Sequence, residues 1–386
     1  MHFAGDLEAS KSILNRLQIV ASYFPDLNVI GDSQCDDVQY LKTALAQLSS
    51  ADVDAGEGGT TFRFLVLRAA RLDQITTIRA HKKLLQRPQS ELLRICQQLG
   101  VQVDVYADRW VIHGGAWNLS QPICVGVKDS TQFVSSLILN SWLLPSSMEI
   151  LLEGEMASRP YYEMTLHLMQ ELGMSFQATG ERIVIPAEQV VQLNHISAEP
   201  DISSSFAIAA LAAVDGFCWI KNFPMSSLQA DFEFLEIFRK MGVKFELDEE
   251  GLRIFESKDL TPISYDLKNC PDLFPVLVGL LAQVDGQSTL FGAPHLRHKE
   301  SDRIQGMANL LSLLGVAHRV RPDGIEVWGQ SKGDLLPRTF DPLNDHRLVM
   351  AAQVLKAQYP NLEILNKNCV KKSFYNFWNL VEDTKC

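Results

Sequence analysis

The chain of 386 residues has no CxxC pair, and its seven cysteines (Cys35, Cys96, Cys124, Cys218, Cys270, Cys369 and Cys386) are an odd number. A disulfide framework or a zinc ribbon needs paired, regularly spaced thiols, so free thiols in a reducing cytoplasm are the expectation. No uninterrupted apolar run approaches the ~20 residues of a membrane span. The opening MHFAGDLEASKSILNR carries acids early and lacks the apolar stretch of a signal peptide. Positive charge is also scarce: 35 Lys and Arg face 46 Asp and Glu, a formal net charge of −11. That argues against a general nucleic-acid binder, which shows a basic surface excess. What is left is an ordinary globular composition, 46% hydrophobic and 21% charged. The length exceeds one core, so two domains are expected.

What the chain does have is a repeat. In ICQQLGVQVDVY, LMQELGMSFQA, IFRKMGVKFEL and LLSLLGVAHRV an amphipathic helix meets a glycine and then a strand; Gly100, Gly173, Gly242 and Gly315 lie 73, 69 and 73 residues apart. Glycine just past the last helical turn is the expected left-handed cap. A second recurring element, a polar turn opening an apolar helix, marks Gly58, Ser130, Ile202, Pro271 and Asn344 at spacings of 72, 72, 69 and 73. The interval from Lys11 to Gly58 is only 47, a shortening that periodicity does not explain. A helix apolar on every side must be buried. The pattern therefore predicts an α/β protein of two similar domains, each of three units, with apolar helices inside and sheets and amphipathic helices outside. The crossover falls near Glu199–Asp201, which gives 12–199 as one domain and 1–11 with 200–386 as the other.

Helix N-termini carry unpaired N–H groups and partial positive charge, so six such turns are six potential anion seats. They carry Lys11, Ser12, Arg16, Gly59, Thr60, Arg63, Ser130, Thr131 and Arg347. Ser and Thr cap helices everywhere, so any one turn reads as ordinary capping. Repetition beside basic side chains points instead to compact, strongly anionic ligands.

The motifs SKSILNR (10–16), CDDVQYLKTAL (35–45), DAGEGGTTFR (54–63), QRP (86–88), DSTQF (129–133), SRPYYEMTLHLM (158–169), PD (271–272), HKESDRI (298–304), NDHRLVMA (344–351) and KKSF (371–374) occur in this order. Together they resemble the 5-enolpyruvylshikimate-3-phosphate synthases, from about residue 9 to residue 380. The resemblance implies an inside-out α/β barrel fold, two domains of three βαβαββ units closing on substrates in the cleft between them. It implies transfer of the enolpyruvyl group of phosphoenolpyruvate to the 5-hydroxyl of shikimate 3-phosphate, with release of phosphate and with neither metal nor organic cofactor. Both partners are small molecules; nucleic acid and membrane are not expected, and a monomer is. By resemblance Lys11, Ser12, Arg16, Ser130, Thr131, Ser158, Tyr161, Asp272, His295 and Lys299 hold shikimate 3-phosphate. Lys11, Gly59, Lys83, Gln132, Arg303, Arg347 and Lys372 hold phosphoenolpyruvate. Asp272 matches the base on the hydroxyl, while Glu300 and Lys11 match the groups that move protons at the vinyl carbon. Such substrates need Lys, Arg and helix N-termini for their phosphates and carboxylates.

Blander readings remain at single positions: Asp272 as a helix cap, and Glu300, Asp302 and Arg303 as a solvated charged face. His295, His298 and Glu300 lack the spacing of a metal motif. Three positions depart from the family pattern. Glu57 and His295 stand where Asn is usual, and Lys83 where Arg is usual. A carboxylate at 57 repels an anion unless it is paired, with Lys83 as one possible partner. Lys at 83 also loses the bidentate fork of Arg. The related transferase acting on UDP-N-acetylglucosamine carries Lys-Asn in place of Lys11-Ser12, and a reactive Cys in place of Lys82, so it fits less well. The alternative from another class is a divergent or non-catalytic binder of a phosphorylated anion. Asp272 and Glu300 argue against it, because a mere binder has little need of acid and base groups beside its anion ligands.

Overall fold

The computed structural model describes residues 1–382, and Cys386 lies outside them. The chain forms two compact units, Ala9–Ala198 and Met1–Glu8 with Glu199 onwards. The parting falls three residues before the expected 11/12 boundary and one before 199/200. Ala9 N–H donates to the Asp32 carbonyl at 3.0 Å, which ties the turn before the first helix to its own unit. Asp201 N–H donates to the Glu8 carbonyl at 3.0 Å, and Glu199 accepts from Gln229 Nε2 at 2.8 Å. A helix cannot be separated from the turn that caps it, and both boundaries move accordingly.

Among the described residues six helices form the interior: Lys11–Ala21, Gly59–Ala70 and Gln132–Leu139 in one unit, and Ile202–Asp215, Phe274–Leu281 and His346–Leu355 in the other. Their sequences are apolar round most of the circumference, and burial follows. All eight residues of Phe274–Leu281 are buried, as are all of His346–Leu355 but Gln353. These two helices cross closely at Gly279, where an added Cβ would lie 2.8 Å from the Ala351 carbonyl oxygen. The amphipathic helices Ser90–Gln98, Arg159–Glu171, Phe234–Met241 and Arg303–Leu314 precede the glycines of the repeat. Those glycines adopt φ of +74° (Gly100), +95° (Gly173), +79° (Gly242) and +73° (Gly315), the left-handed turn that a side chain would resist.

Four sheets share one plan. In the first, Asp52–Asp54 pairs parallel with Ile75–Arg79 across the helix Gly59–Ala70, and Arg109–His113 pairs antiparallel with both Ile75–Arg79 and Gln102–Val105. The same order recurs with Ile123–Gly126, Met148–Glu153, Arg182–Ile185 and Gln177–Thr179, and with Ser264–Asp266, Gly286–Phe291, Gly324–Gly329 and Ala317–Arg321. Two further sheets hold only a parallel pair: Asn28–Ile30 with His195–Ser197, and Arg338–Phe340 with Leu362–Ile364. The unit opened by Lys11 therefore lacks the closing hairpin, and its chain runs from Asp36–Ala46 through one short turn into Asp52–Asp54. The missing hairpin accounts for the interval of 47.

The edge strands of the two opening units are exchanged. His195–Ser197, which leads in sequence to the helix Ile202–Asp215, pairs instead with Asn28–Ile30, both strands lying within Ala9–Ala198. The fourth sheet takes the N-terminal strand His2–Gly5 in its place, parallel to Phe217–Ile220. Each unit is thereby closed by a strand from the far end of its sequence.

Candidate active site

In the unit Ala9–Ala198 the interior helices begin among hydroxyls, amides and guanidinium groups. Lys11 Nζ donates to Asp37 Oδ2 at 3.0 Å, and Asp37 is buried in the first turn of Asp36–Ala46. One turn into the first helix, Arg16 is buried and engaged with neutral acceptors. Its Nε donates to Thr165 Oγ1 at 2.8 Å, Nη1 to the Ser12 carbonyl at 2.7 Å and Nη2 to the Tyr161 carbonyl at 3.1 Å. Burial pulls its pKa down to about 10, which leaves it charged at neutral pH. Ser158, just before Arg159–Glu171, holds φ +51°, a costly conformation for a residue with a Cβ. Its carbonyl accepts from Thr131 Oγ1 at 3.5 Å.

The N-terminus of Gly59–Ala70 gathers a second set. Gln132 Nε2 donates to Thr60 Oγ1 at 2.9 Å, and Gln132 Oε1 accepts from Arg63 Nη1 at 2.7 Å. Ser130 Oγ accepts from the same Arg63 nitrogen at 3.4 Å and from the Gln132 N–H at 3.2 Å. A Cβ on Gly59 would lie 3.1 Å from Arg87 Nη1, so glycine is what lets that guanidinium approach the helix end. Lys83 shows a different outcome from the expected pairing with Glu57. Glu57 Oε1 instead faces His81 Nε2 at 3.8 Å, while His81 Nδ1 accepts from the Lys83 N–H at 3.4 Å. One imidazole ring serves both positions, and the Lys83 side chain makes no ion pair among the described residues.

The other unit concentrates charge. Arg303 is 1% exposed and donates to three carboxylates: from Nε to Asp345 Oδ2, Nη1 to Asp272 Oδ1 and Nη2 to Glu300 Oε2, each at 2.9 Å. Burial works against its charge, but Asp345, Glu300 and Asp272 outweigh burial and push its pKa up. Arg347 donates from Nη2 to Asp272 Oδ2 at 2.9 Å and Ser203 Oγ at 3.2 Å, and from Nη1 to the Asp272 carbonyl at 3.1 Å. Lys372 Nζ donates to Glu300 Oε1 at 2.9 Å, and Lys299 Nζ lies 3.7 Å from Asp272 Oδ1.

Asp272 is thus the centre of the group. Burial alone would raise its pKa, yet Arg347, Lys299 and Arg303 together hold it well below the usual carboxylate range. His295 is neutral: burial first, then Lys299, lowers its pKa to about 4. The turn before His346–Leu355 passes through consecutive left-handed residues, Leu343 (φ +57°) and Asn344 (φ +62°), to the N-cap Asp345. Asp345 accepts from Arg303 and Ser301 and from the Arg347 N–H, which fixes both arginines at one helix end.

The structure therefore brings together Asp272, Lys299, Glu300, Arg303, Arg347 and Lys372. It also joins Gly59 with Gln132, Ser12 and Tyr161 with Arg16, and Thr131 with Ser158. Asp37, Arg87, Ser203, Asp231 and Asp345 also belong to these groups, although the sequence reading assigned them no role there; Arg63, which it placed at a helix start among the anion seats, joins them. Asp37, Arg87 and Asp345 stood inside the quoted CDDVQYLKTAL, QRP and NDHR motifs and Ser203 follows the turn marker Ile202, whereas nothing in the sequence around Asp231 marks it. No group of three or more His, Cys, Asp or Glu side chains is arranged to hold a metal ion among the described residues. No described helix is long and apolar enough to cross a membrane.

Comparison with known proteins agrees with this geometry. The profile of the EPSP synthase (3-phosphoshikimate 1-carboxyvinyltransferase) family matches residues 6–381. The 3-phosphoshikimate 1-carboxyvinyltransferase of Syntrophobacter fumaroxidans is 31% identical, across 97% of this chain and 95% of that protein. The one from Pyrococcus furiosus is 28% identical, across 98% and 92%. The fold is that of the EPSP synthase from Acinetobacter baumannii, with TM-score 0.77 at 19% identity over 99% of this chain and 95% of that one. It is also that of the enolpyruvyl transferase NikO from Streptomyces tendae, with TM-score 0.72 at 12% identity over 100% and 94%. The chain is a member of the EPSP synthase family.

Proposed function

We propose that this protein is a 3-phosphoshikimate 1-carboxyvinyltransferase, moving the enolpyruvyl group of phosphoenolpyruvate to the 5-hydroxyl of shikimate 3-phosphate and releasing phosphate. The observation that carries this reading is the Asp272 carboxylate, ionised and flanked by Arg303, Arg347 and Lys299. The reaction deprotonates a hydroxyl while a multiply charged anion is held beside it. Asp272 fits the first task, and Arg303, Arg347 and Lys372 fit the second as phosphoenolpyruvate ligands.

The same geometry supports a coupling between the two tasks. A carboxylate held far below its usual pKa is a poor base. A phosphate and carboxylate arriving on Arg303 and Arg347 compete for the N–H groups that Asp272 now accepts from. Asp272 then regains basicity at the moment the second substrate is in place. Glu300, between Lys372 and Arg303, and Lys11, beside Asp37, are the groups assigned to the proton at the vinyl carbon. Lys11, Ser12, Arg16, Ser130, Thr131, Ser158, Tyr161, His295 and Lys299 are assigned to shikimate 3-phosphate. Gly59, Lys83 and Gln132 are assigned to phosphoenolpyruvate. The protein acts as a cytoplasmic monomer in this reading, which equilibrium sedimentation and cell fractionation would check.

The test is phosphate release from phosphoenolpyruvate with and without shikimate 3-phosphate. Release that requires both, and that falls about 10²–10⁴-fold in Asp272→Asn, is the expected result. Binding of shikimate 3-phosphate with no phosphate release at high protein concentration would sink the proposal.

A further inference from the structure

We propose that Asp231 is a positioning residue for Arg347, acting through the Ser203 hydroxyl. Asp231 lies in the short turn Ala230–Glu233 and is 2% exposed. Its Oδ2 accepts from Ser203 Oγ, which in turn accepts from Arg347 Nη2 at 3.2 Å. Its Oδ1 is buried and has no hydrogen-bond partner among the described residues. A carboxylate placed this way is costly, because burying ionised oxygen without donors loses hydration and returns little. Retaining such a group beside a binding arginine calls for a use, and the geometry supplies one.

Among the described residues Arg347 is anchored by Asp272 and by the pair Ser203–Asp231. By the reading above, which this inference rests on, substrate competes for the donors that Arg347 gives to Asp272. The second anchor then keeps the guanidinium plane from turning away. The hydroxyl gives its proton to Asp231, so its lone pairs stay free to accept from Arg347. A neutral group at 231 removes that bias and the negative charge behind the arginine.

The surroundings agree. Burial first pushes the Asp231 carboxyl up to about 6, and Asp272 and Asp201 add to this while Arg347 and Ser203 oppose it. The remaining titratable neighbours are Glu233 on the same turn and Cys270, whose thiol is raised by burial first and by Asp231 next, and so stays protonated. The folded carboxyl lies above the unfolded value near 4, so its ionisation penalises the fold at pH 8; the penalty shrinks as pH falls from about 6 and is gone below about 4.

Two readouts separate positioning from scaffolding. Asp231→Asn should raise the KM for phosphoenolpyruvate about tenfold, with kcat and the KM for shikimate 3-phosphate changed less than twofold. It should also raise Tm by a few degrees at pH 8 and by about half as much at pH 5, whereas loss of a merely structural contact lowers Tm at both. The variant-to-parent ratio of KM, in which the substrate's own titration cancels, should fall as pH drops from 8 to 5. Ser203→Ala should reproduce the KM effect, and the double variant should be no worse than either single one. A KM within twofold of the parent in both variants, equal increases for the two substrates, or full additivity overturns the inference. If the parent shows no turnover, the functional reading falls separately. Asp231 is then judged by calorimetric affinity for phosphoenolpyruvate, where equal affinity of parent and Asp231→Asn overturns it.

Discussion

Two pairs of buried arginines, one pair in each unit, are used in opposite ways. Around Ala9–Ala198, Arg16 and Arg63 give their hydrogen bonds to hydroxyls, amides and carbonyls. In the other unit Arg303 and Arg347 give most of theirs to carboxylates. On its neutral acceptors Arg16 keeps its charge uncompensated, and an anion can join it without displacing another. A guanidinium held by carboxylates is already satisfied, and an anion must compete for it. The first kind suits a ligand that binds to a waiting site. The second suits one whose arrival releases a base, the role proposed above for Asp272.

Removing one arginine from each unit should break or uphold that contrast. Arg303→Met leaves Asp345, fully buried, and two further carboxylates without their shared partner, and should cost about 3–5 kcal/mol. Arg16→Met strands only neutral acceptors and should cost about 1–3 kcal/mol. The tryptophans divide three to a unit (Trp110, Trp117 and Trp142; Trp219, Trp328 and Trp378), so urea unfolding followed by fluorescence reads both. An Arg16 variant as damaged as the Arg303 variant would end the comparison.

Acid should sharpen it. Burial raises the Asp272 pKa, but Arg347, Lys299 and Arg303 lower it further, to a net value well below the ordinary one. A depressed carboxylate contributes stability that is present above the unfolded value near 4 and is lost as pH falls towards the folded one. Arg16, at about 10, does not titrate in that window. Amide exchange at pH 3 should therefore lose protection in Arg303–Leu314 and His346–Leu355 before Lys11–Ala21 and Gln132–Leu139. The reverse order would mean the carboxylate network is not what holds the second unit.

The interior helices were legible because apolar residues on every side leave burial as the only option, and each opens on a turn with its own capping chemistry. The glycines at the ends of the amphipathic helices were legible for the same local reason. The exchange of His2–Gly5 and His195–Ser197 was not, since strands of three or four residues carry no mark of a partner some 200 positions away. The charged motifs exposed Arg303, Arg347 and Lys372, but not that these bind one another's carboxylate partners. Asp231 lies 28 positions from Ser203 in unremarkable surroundings, and only folding puts it behind Arg347.

The smallest expected effect concerns Glu57. It lies near the helix end carrying Gly59, Gln132 and Arg87. Its partner there is His81, and both side chains are about half exposed. Water and salt screen exposed charges, so the repulsion on an incoming anion should amount to less than about 1 kcal/mol. Glu57→Gln should lower the KM for phosphoenolpyruvate two- to fivefold at low salt, and Lys83→Arg should add a similar factor by restoring a bidentate fork. Because the effect of Glu57 is Coulombic, the Gln advantage should shrink towards unity near 0.5 M salt, where the screening length is about 4 Å. An advantage that survives high salt would show that the residue acts through shape or hydrogen bonding. Glu57 would then act on the neighbouring helix end by contact and not through its charge.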